Sequence, residues 1–67
     1  MNLTVNGESR EWAVETMTVT TLLDKLGLKD RRVAVEVDRR IVTRANHDSH
    51  VLHEGNVVEI VHFVGGG

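Results

Sequence analysis

The chain has 67 residues, a formal net charge of −2 and no cysteine. This length suits one small domain, and without cysteine there is no disulfide framework, thiolate metal site or thiol nucleophile. Acidic and basic residues are interspersed rather than gathered into a basic stripe, so no nucleic-acid partner is expected. Because there is neither a signal-peptide pattern nor a membrane-spanning apolar run, we expect a soluble, cytoplasmic protein with no membrane partner.

The first two predicted elements form a β-hairpin. Residues 1–5 alternate between apolar and polar, as a half-buried strand does. Asn6-Gly7 follows, and this pair favours a type I′ turn, which needs positive φ at both central residues. The return strand is predicted over residues 10–14, with Trp12 and Val14 on one face.

A helix is predicted next. Apolar side chains recur at positions i, i+3, i+4 and i+7 between residues 19 and 26, which gives one apolar stripe. Thr18 precedes the stripe as a candidate N-cap. Gly27 is placed to end the helix in a Schellman motif, with Leu28 positioned to contact Leu23.

Three further strands are predicted, over residues 33–37, 40–44 and 57–64. Asp38-Arg39 forms a tight turn between the first two. Residues 45–51 are polar and irregular, and Leu52 is expected to fix this crossing to the core. A turn at residues 54–56 leads into the last strand.

The element order β-β-α-β-β-β predicts an α+β fold, in which a mixed five-stranded sheet packs on one helix. This is the β-grasp (ubiquitin-like) arrangement, with the last strand central beside the first. We expect a β-grasp domain over residues 1–64 and a flexible glycine tail over residues 65–67.

The tail residues Gly65, Gly66 and Gly67 have no side chains, so they fit a channel too narrow for other residues. Extended, three residues reach at most about 10 Å, enough to bring the Gly67 carboxylate into a partner's active site. A flexible linker or an expression scar would look the same in isolation.

Other candidates for chemistry are weaker. His47, His50 and His53 are spaced HxxHxxH, but on a helix the third would be rotated about 240° from the first. No cysteine or carboxylate completes the set, so we expect solvated loop histidines and no metal site. His62 is expected to be partly buried or a contact residue. Ser49 lacks the oriented base and oxyanion hole of a triad, so the chain is not expected to be an enzyme.

Seven segments together resemble one known family: Val5-Asn6-Gly7-Glu8, Thr18-Val19, Leu22-Leu23, Val33-Ala34-Val35-Glu36, the Gly55 turn, Val58-Glu59-Ile60-Val61 and Gly66-Gly67. They look like the ThiS-type sulfur carriers of thiamine biosynthesis, over essentially the whole chain. Two departures lie in turns: Asp38-Arg39 stands where an Asn-Gly-like turn is common, and Asn56 where aspartate is usual. A third is Gly65, an additional glycine that some relatives share.

The resemblance implies that Gly67 is a reactant. A ThiF-type adenylating enzyme would activate its carboxylate with ATP and Mg²⁺, and a sulfur donor such as a cysteine desulfurase would supply the sulfur of a C-terminal thiocarboxylate. That sulfur would pass to a ThiG-type thiazole synthase. Gly65 and Gly66 would thread the tail, and the chain itself would bind no cofactor.

Three alternatives remain open. The small subunit of molybdopterin synthase is a related carrier, although that family is generally longer. A ubiquitin-like modifier would instead be conjugated to lysines. A binding module of the same shape would have inert glycines.

The predicted last strand also suggests a docking face. Val58 and Ile60 are expected to pack on the helix, which leaves the other side of the strand exposed. The docking face is predicted to consist of Glu59, Val61 and Phe63, flanked by Ala34 and Glu36 of the neighbouring strand. The alternative is that Phe63 folds over the sheet edge and supports the core.

Overall fold

The computed structural model describes residues 1–63, and Val64, Gly65, Gly66 and Gly67 lie outside that range. The strands in chain order are β1 (Asn2–Val5), β2 (Glu8–Glu11), β3 (Met17–Thr18), β4 (Val33–Val37), β5 (Arg40–Val42), β6 (Val51–Leu52) and β7 (Val57–His62). Helix α1 (Val19–Lys25) lies between β3 and β4, and a 3₁₀ turn (Arg44–Asn46) precedes β6.

Five strands form one mixed sheet in the order β2-β1-β7-β4-β5. The central strand β7 runs parallel to β1, with Val5 beside Val58, and antiparallel to β4. The predicted β-grasp fold, with its last strand beside the first, is therefore confirmed. This arrangement places the final residues of the domain between two neighbouring strands.

The core lies between the sheet and α1. Its side chains are all apolar and less than one-tenth exposed: Leu3, Val5, Met17, Val19, Leu22, Leu23, Val35, Val37, Val42, Leu52, Val58 and Ile60. Every second residue of β1, β4 and β7 contributes, as expected for a sheet with one covered face. Among residues 1–63, no helix is long and apolar enough to cross a membrane.

The first hairpin has the predicted turn but a different return strand. Asn6 and Gly7 have φ of 50° and 83°, as a type I′ turn requires. This two-residue turn pairs Val5 directly with Glu8, so β2 runs over Glu8–Glu11 and the prediction of residues 10–14 is wrong. Trp12 packs half-buried against the core after the strand has ended.

The second hairpin shows the same relationship between turn and register. Asp38 and Arg39 have φ of 49° and 69°, which confirms the predicted tight turn. Strand β5 ends at Val42 rather than at residue 44, because the chain enters the 3₁₀ turn there.

Both ends of α1 follow the sequence signals. The Thr18 hydroxyl accepts a hydrogen bond from the Thr21 backbone N–H at 3.2 Å, which confirms the N-cap. At the other end, the backbone N–H of Leu28 donates to the Leu23 carbonyl at 2.8 Å, and Gly27 has φ of 75°. This is the Schellman ending that the sequence predicts.

A second, two-stranded sheet was not predicted. Met17 and Thr18 of β3 pair antiparallel with Leu52 and Val51 of β6. Leu52 is fully buried, which confirms that it fixes the crossing to the core. This short pairing brings the preceding loop against the first turn of α1, so the His50 carbonyl accepts from the Val19 N–H at 3.0 Å.

Candidate docking face and tail exit

The last strand has the alternation that the sequence predicts. Val58 and Ile60 are buried on the helix side, and Glu59 is exposed on the other side. Val61 and Phe63 are each 56% exposed. The predicted orientation of this strand is therefore confirmed.

The backbone of Phe63 is hydrogen-bonded to the sheet, whereas its side chain is exposed at the surface. Its N–H donates to the Arg32 carbonyl at 2.9 Å, which extends the β4–β7 ladder by one residue beyond the pair of Val33 and His62. The side chain is not part of the core cluster. The alternative in which Phe63 supports the core therefore does not describe this structure. The ladder fixes the point from which the tail leaves the domain.

The two flanking residues lie where the sequence places them. Ala34 is directly opposite Val61, and Glu36 is directly opposite Glu59; both β4 residues are exposed. The structure thus brings all five predicted docking-face residues onto one side of the sheet. Like charges directly opposite each other disfavour the pairing, so the two glutamates do not stabilise the sheet.

One member of this surface was not predicted from the sequence. Ile41 of β5 is 75% exposed and lies opposite Glu36 on the same side. Its position follows from the turn: a two-residue loop at Asp38 and Arg39 pairs Val37 with Arg40, which places Ile41 beside Glu36. The signal was present in the turn, but Ile41 stands in a short apolar run whose orientation is not fixed by periodicity alone.

The tail glycines are the proposed reactive part of the site. Gly65, Gly66 and Gly67 lie outside the described residues, as does the predicted continuation of the last strand to Val64. The structure describes the geometry that precedes them: the central strand β7, followed by the exposed, apolar side chain of Phe63.

One histidine prediction is wrong. His47 is only 8% exposed, and its Nε2–H donates to the Val42 carbonyl at 3.1 Å. Its backbone carbonyl also accepts from the Thr20 N–H, so the residue supports the start of α1 rather than being a solvated loop histidine. His62 is exposed, which leaves the contact-residue interpretation.

The remaining candidates do not assemble into a catalytic site. The Ser49 hydroxyl donates to the Asn46 carbonyl at 3.3 Å within its own turn. Within residues 1–63, no three histidine or acidic side chains are grouped closely enough to hold a metal ion.

Comparison with known proteins gives consistent matches. The ThiS family model matches residues 3–67. A sulfur carrier protein ThiS from Bacillus subtilis is 37% identical over 65 residues, which cover 97% of this chain and 98% of that protein. Thiazole synthases from Paramagnetospirillum magneticum and Magnetococcus marinus are 42% and 39% identical over all 67 residues, and the chain spans about a fifth (20%) of their length.

Solved structures agree with these sequence matches. The crystal structure of a thiamine biosynthesis protein (ThiS) from Geobacter metallireducens superposes with a TM-score of 0.86, at 36% identity and with complete coverage of both chains. An NMR structure of a thiamine biosynthesis protein from the same organism gives a TM-score of 0.82 at 38% identity, over 100% of this chain and 88% of that one.

Proposed function

Because this chain belongs to the ThiS family, we propose that it is a sulfur carrier of thiamine biosynthesis, with the Gly67 carboxylate as the group that receives sulfur. The observation that supports this most directly is the family match over residues 3–67, which includes the glycine end. Among the described residues, no three histidine or acidic side chains are grouped closely enough to hold a metal ion. The role of the domain is that of a protein substrate.

The chemistry begins with activation, since a carboxylate is a poor electrophile. We propose that one oxygen of the Gly67 carboxylate attacks the α-phosphorus of ATP on a ThiF-type adenylating enzyme, with Mg²⁺ neutralising the phosphates and pyrophosphate leaving. A sulfur nucleophile then attacks the carbonyl carbon of this mixed anhydride. AMP leaves with one of the original carboxylate oxygens. When the nucleophile is the terminal sulfur of a donor persulfide, the product is an acyl disulfide. A second thiol then attacks the donor's sulfur, forms a disulfide with it and releases the C-terminal thiocarboxylate. ATP and Mg²⁺ belong to the activating enzyme rather than to the carrier.

The fold's contribution to this chemistry is placement. Residues 64–67 can span at most about 14 Å when extended, so the reacting carboxylate must lie close to the partner surface that contacts Phe63. The docking face supplies that contact with two exposed apolar side chains, Val61 and Phe63. A paired apolar surface beside the tail suits recognition by an enzyme that encloses the tail.

We propose thiazole synthase as the enzyme that consumes the sulfur. The two thiazole synthases that match this chain support the pairing, because each contains a segment similar to all 67 residues within one longer polypeptide. The sulfur donor is proposed to be an enzyme such as a cysteine desulfurase, which would deliver a persulfide sulfur to the adenylate.

Intact-mass spectrometry tests the function. The chain is incubated with ATP, Mg²⁺, the adenylating enzyme, a cysteine desulfurase with cysteine, and a thiol reductant. The expected product has the mass change of one oxygen replaced by sulfur, and it disappears when ATP is omitted. A chain that stays unmodified would contradict the proposal, and higher-mass conjugates to lysines would instead identify a ubiquitin-like modifier.

A further inference from the structure

Four of the eight basic side chains lie at the end of the sheet from which the tail leaves: Lys29, Arg31, Arg32 and Arg44. The position of Arg32 is set by its carbonyl, which accepts from the Phe63 N–H at 2.9 Å. The next residue, Val33, pairs with His62. These contacts place the start of β4 beside the end of β7.

Three of these cations surround one shallow groove. Lys29, Arg31 and Arg44 line it together with the apolar side chains of Leu23 and Val33 and the buried ring of His47. They come from two separate segments, the loop between α1 and β4 and the 3₁₀ turn after β5. The fold therefore gathers charges that are distant in the sequence.

Acidic side chains neutralise this region only in part. Asp30 and Asp48 line the adjoining depression, and Asp24 lines a further one beside Lys29 and Arg31. The carboxylate of Asp48 accepts the Thr20 hydroxyl at 2.5 Å and stays negatively charged, so the four cations outnumber the three acids of this region by one.

The fourth cation lies on the other side of the sheet. Along β4, Val33 and Val35 point toward the helix, while Ala34 and Glu36 are exposed on the docking face. Arg32 has the same parity as Ala34 and therefore lies on the docking face, opposite Phe63. Positive charge thus occurs on both sides of the sheet where the tail begins, although the whole chain has a net charge of −2.

We propose that Lys29, Arg31, Arg32 and Arg44 form a basic rim that docks on Asp and Glu side chains around the channel entrance of the adenylating enzyme. This inference rests on the proposed function and adds the charge that the partner must present. Complementary charges at an interface raise the association rate and fix the orientation of docking. The opposed pair of Glu36 and Glu59 further along the docking face has the opposite sign, so one orientation of the domain is favoured.

The basic rim acts at the entrance rather than at the reacting atoms. Four residues can span at most about 14 Å, so the proposal leaves the cations outside the channel while the carboxylate reacts inside it. Removal of rim charge should therefore change the concentration of carrier needed for half-maximal rate, not the maximal rate.

The test compares two double variants of equal charge. Arg31→Glu/Arg44→Glu reverses the basic rim, and Arg39→Glu/Arg40→Glu reverses two exposed cations at the opposite end of β4. Each pair of reversals lowers the net charge by four, from −2 to −6. Pyrophosphate release by the purified adenylating enzyme is measured while each carrier is titrated at two salt concentrations.

We expect KM for the rim variant to be about tenfold higher than KM for the parent at low salt, with kcat within about twofold. The difference in KM should become smaller at high salt. The control variant should stay within about twofold of the parent. Three results would each overturn the basic-rim proposal: equal KM changes in both variants, an unchanged KM in the rim variant, or a change in KM for ATP alone.

Two further measurements separate other causes. Circular dichroism melting checks the fold of each variant, and Arg31→Gln/Arg44→Gln should give a smaller KM change in the same direction if a reversal unfolds the domain. If the adenylating enzyme releases no pyrophosphate when it is given the parent chain, the proposed function and the basic-rim proposal both fail. If the parent reacts and the rim variants match it, the basic rim alone fails.

Discussion

The side-chain amide of Asn6 pairs with both backbone groups of Ile60, 54 residues away in sequence. Its Oδ1 accepts from the Ile60 N–H at 2.7 Å, and its Nδ2 donates to the Ile60 carbonyl at 3.2 Å. The Asn6 backbone N–H also donates to the Val58 carbonyl at 2.9 Å. The amide therefore continues the parallel β1–β7 ladder after the backbone has turned away.

Replacement of Asn6 by glycine tests this bridge. Glycine keeps the positive φ of the turn, so the substitution removes the amide without adding backbone strain. We expect the free energy of unfolding to fall by about 1–3 kcal/mol, because the Ile60 backbone groups lose their partner. Urea denaturation measures this change. A variant as stable as the parent would show that water replaces the amide at no cost.

Phe63→Asp tests the docking face. Because the side chain is 56% exposed, the midpoint of thermal unfolding should shift by about 4 °C or less. Affinity for the adenylating enzyme and for thiazole synthase should fall by about ten- to a hundredfold, since burial of a phenylalanine contributes about 1.5–3 kcal/mol.

The matched control is Val51→Asp, a similar change at a side chain that is 41% exposed on β6, outside the five-stranded sheet. This variant should bind both enzymes as the parent does. An unfolded Phe63→Asp, or normal binding by that variant, would contradict the docking-face assignment. Isothermal titration calorimetry and circular dichroism provide the two readouts.

Changes at the C-terminus test whether Gly67 is the reactant. Deletion of Gly67, or addition of one residue after it, should abolish thiocarboxylate formation while the unfolding midpoint stays the same. Gly66→Val should have nearly the same effect, because a branched side chain blocks a narrow channel and restricts φ. Intact mass after the complete reaction gives the result. Sulfur gained at the new end of an extended chain would argue against a specific tail site.

Asp38 and Asn56, which both lie in turns that depart from the family pattern, contact each other. Asn56 Nδ2 donates to Asp38 Oδ2 at 2.7 Å, and Asp38 Oδ1 accepts from the Val57 N–H at 2.8 Å. Asn56 Oδ1 accepts in turn from the His53 N–H at 2.7 Å. One acid and one amide thus join two turns that are 18 residues apart.

An exchange of the two side chains should preserve this network. In Asp38→Asn alone, two amide NH₂ donors face each other. In Asn56→Asp alone, two negatively charged carboxylates face each other. Each should lower the free energy of unfolding by about 1 kcal/mol. The double exchange restores one donor and one acceptor at each contact, so it should regain most of the loss. A double variant whose free energy of unfolding falls by the sum of the two single losses would contradict this interpretation.

Sequence patterns predicted the elements that have either a strong period or a specific cap. Helix α1 is such a case, since the Thr18 cap and the Gly27 ending both confirm its limits. Strand β2 is the contrary case, because all of its residues are exposed and show no hydrophobic alternation. The predicted strand was therefore placed too far along the chain, at the apolar residues Trp12 and Val14. The turn at Asn6-Gly7 determines the observed register, because a two-residue loop pairs Val5 with Glu8, but the prediction of the return strand did not use it.

Features that depend on long-range contacts were not predictable from local pattern. The two residues of β3 are too few to show any period, and their partner strand β6 is 34 residues further along. His47 is polar in sequence and buried in the fold because the Val42 carbonyl and the Thr20 N–H both need its polar groups. The exposed side of β7 was predictable, because one glutamate among valines identifies the solvent side.

The position of β7 between β1 and β4 also determines how the domain responds to force. A partner that draws in the tail pulls along the axis of β7, parallel to the strands on both sides of it. The hydrogen bonds of both ladders are then loaded together in shear, so many must break at once. Strand β5, which has only one neighbour, could instead be peeled away one bond at a time. The end of the chain that we propose is drawn into enzymes is thus attached to a strand held on both sides, and pulling on it does not peel an edge strand from the sheet.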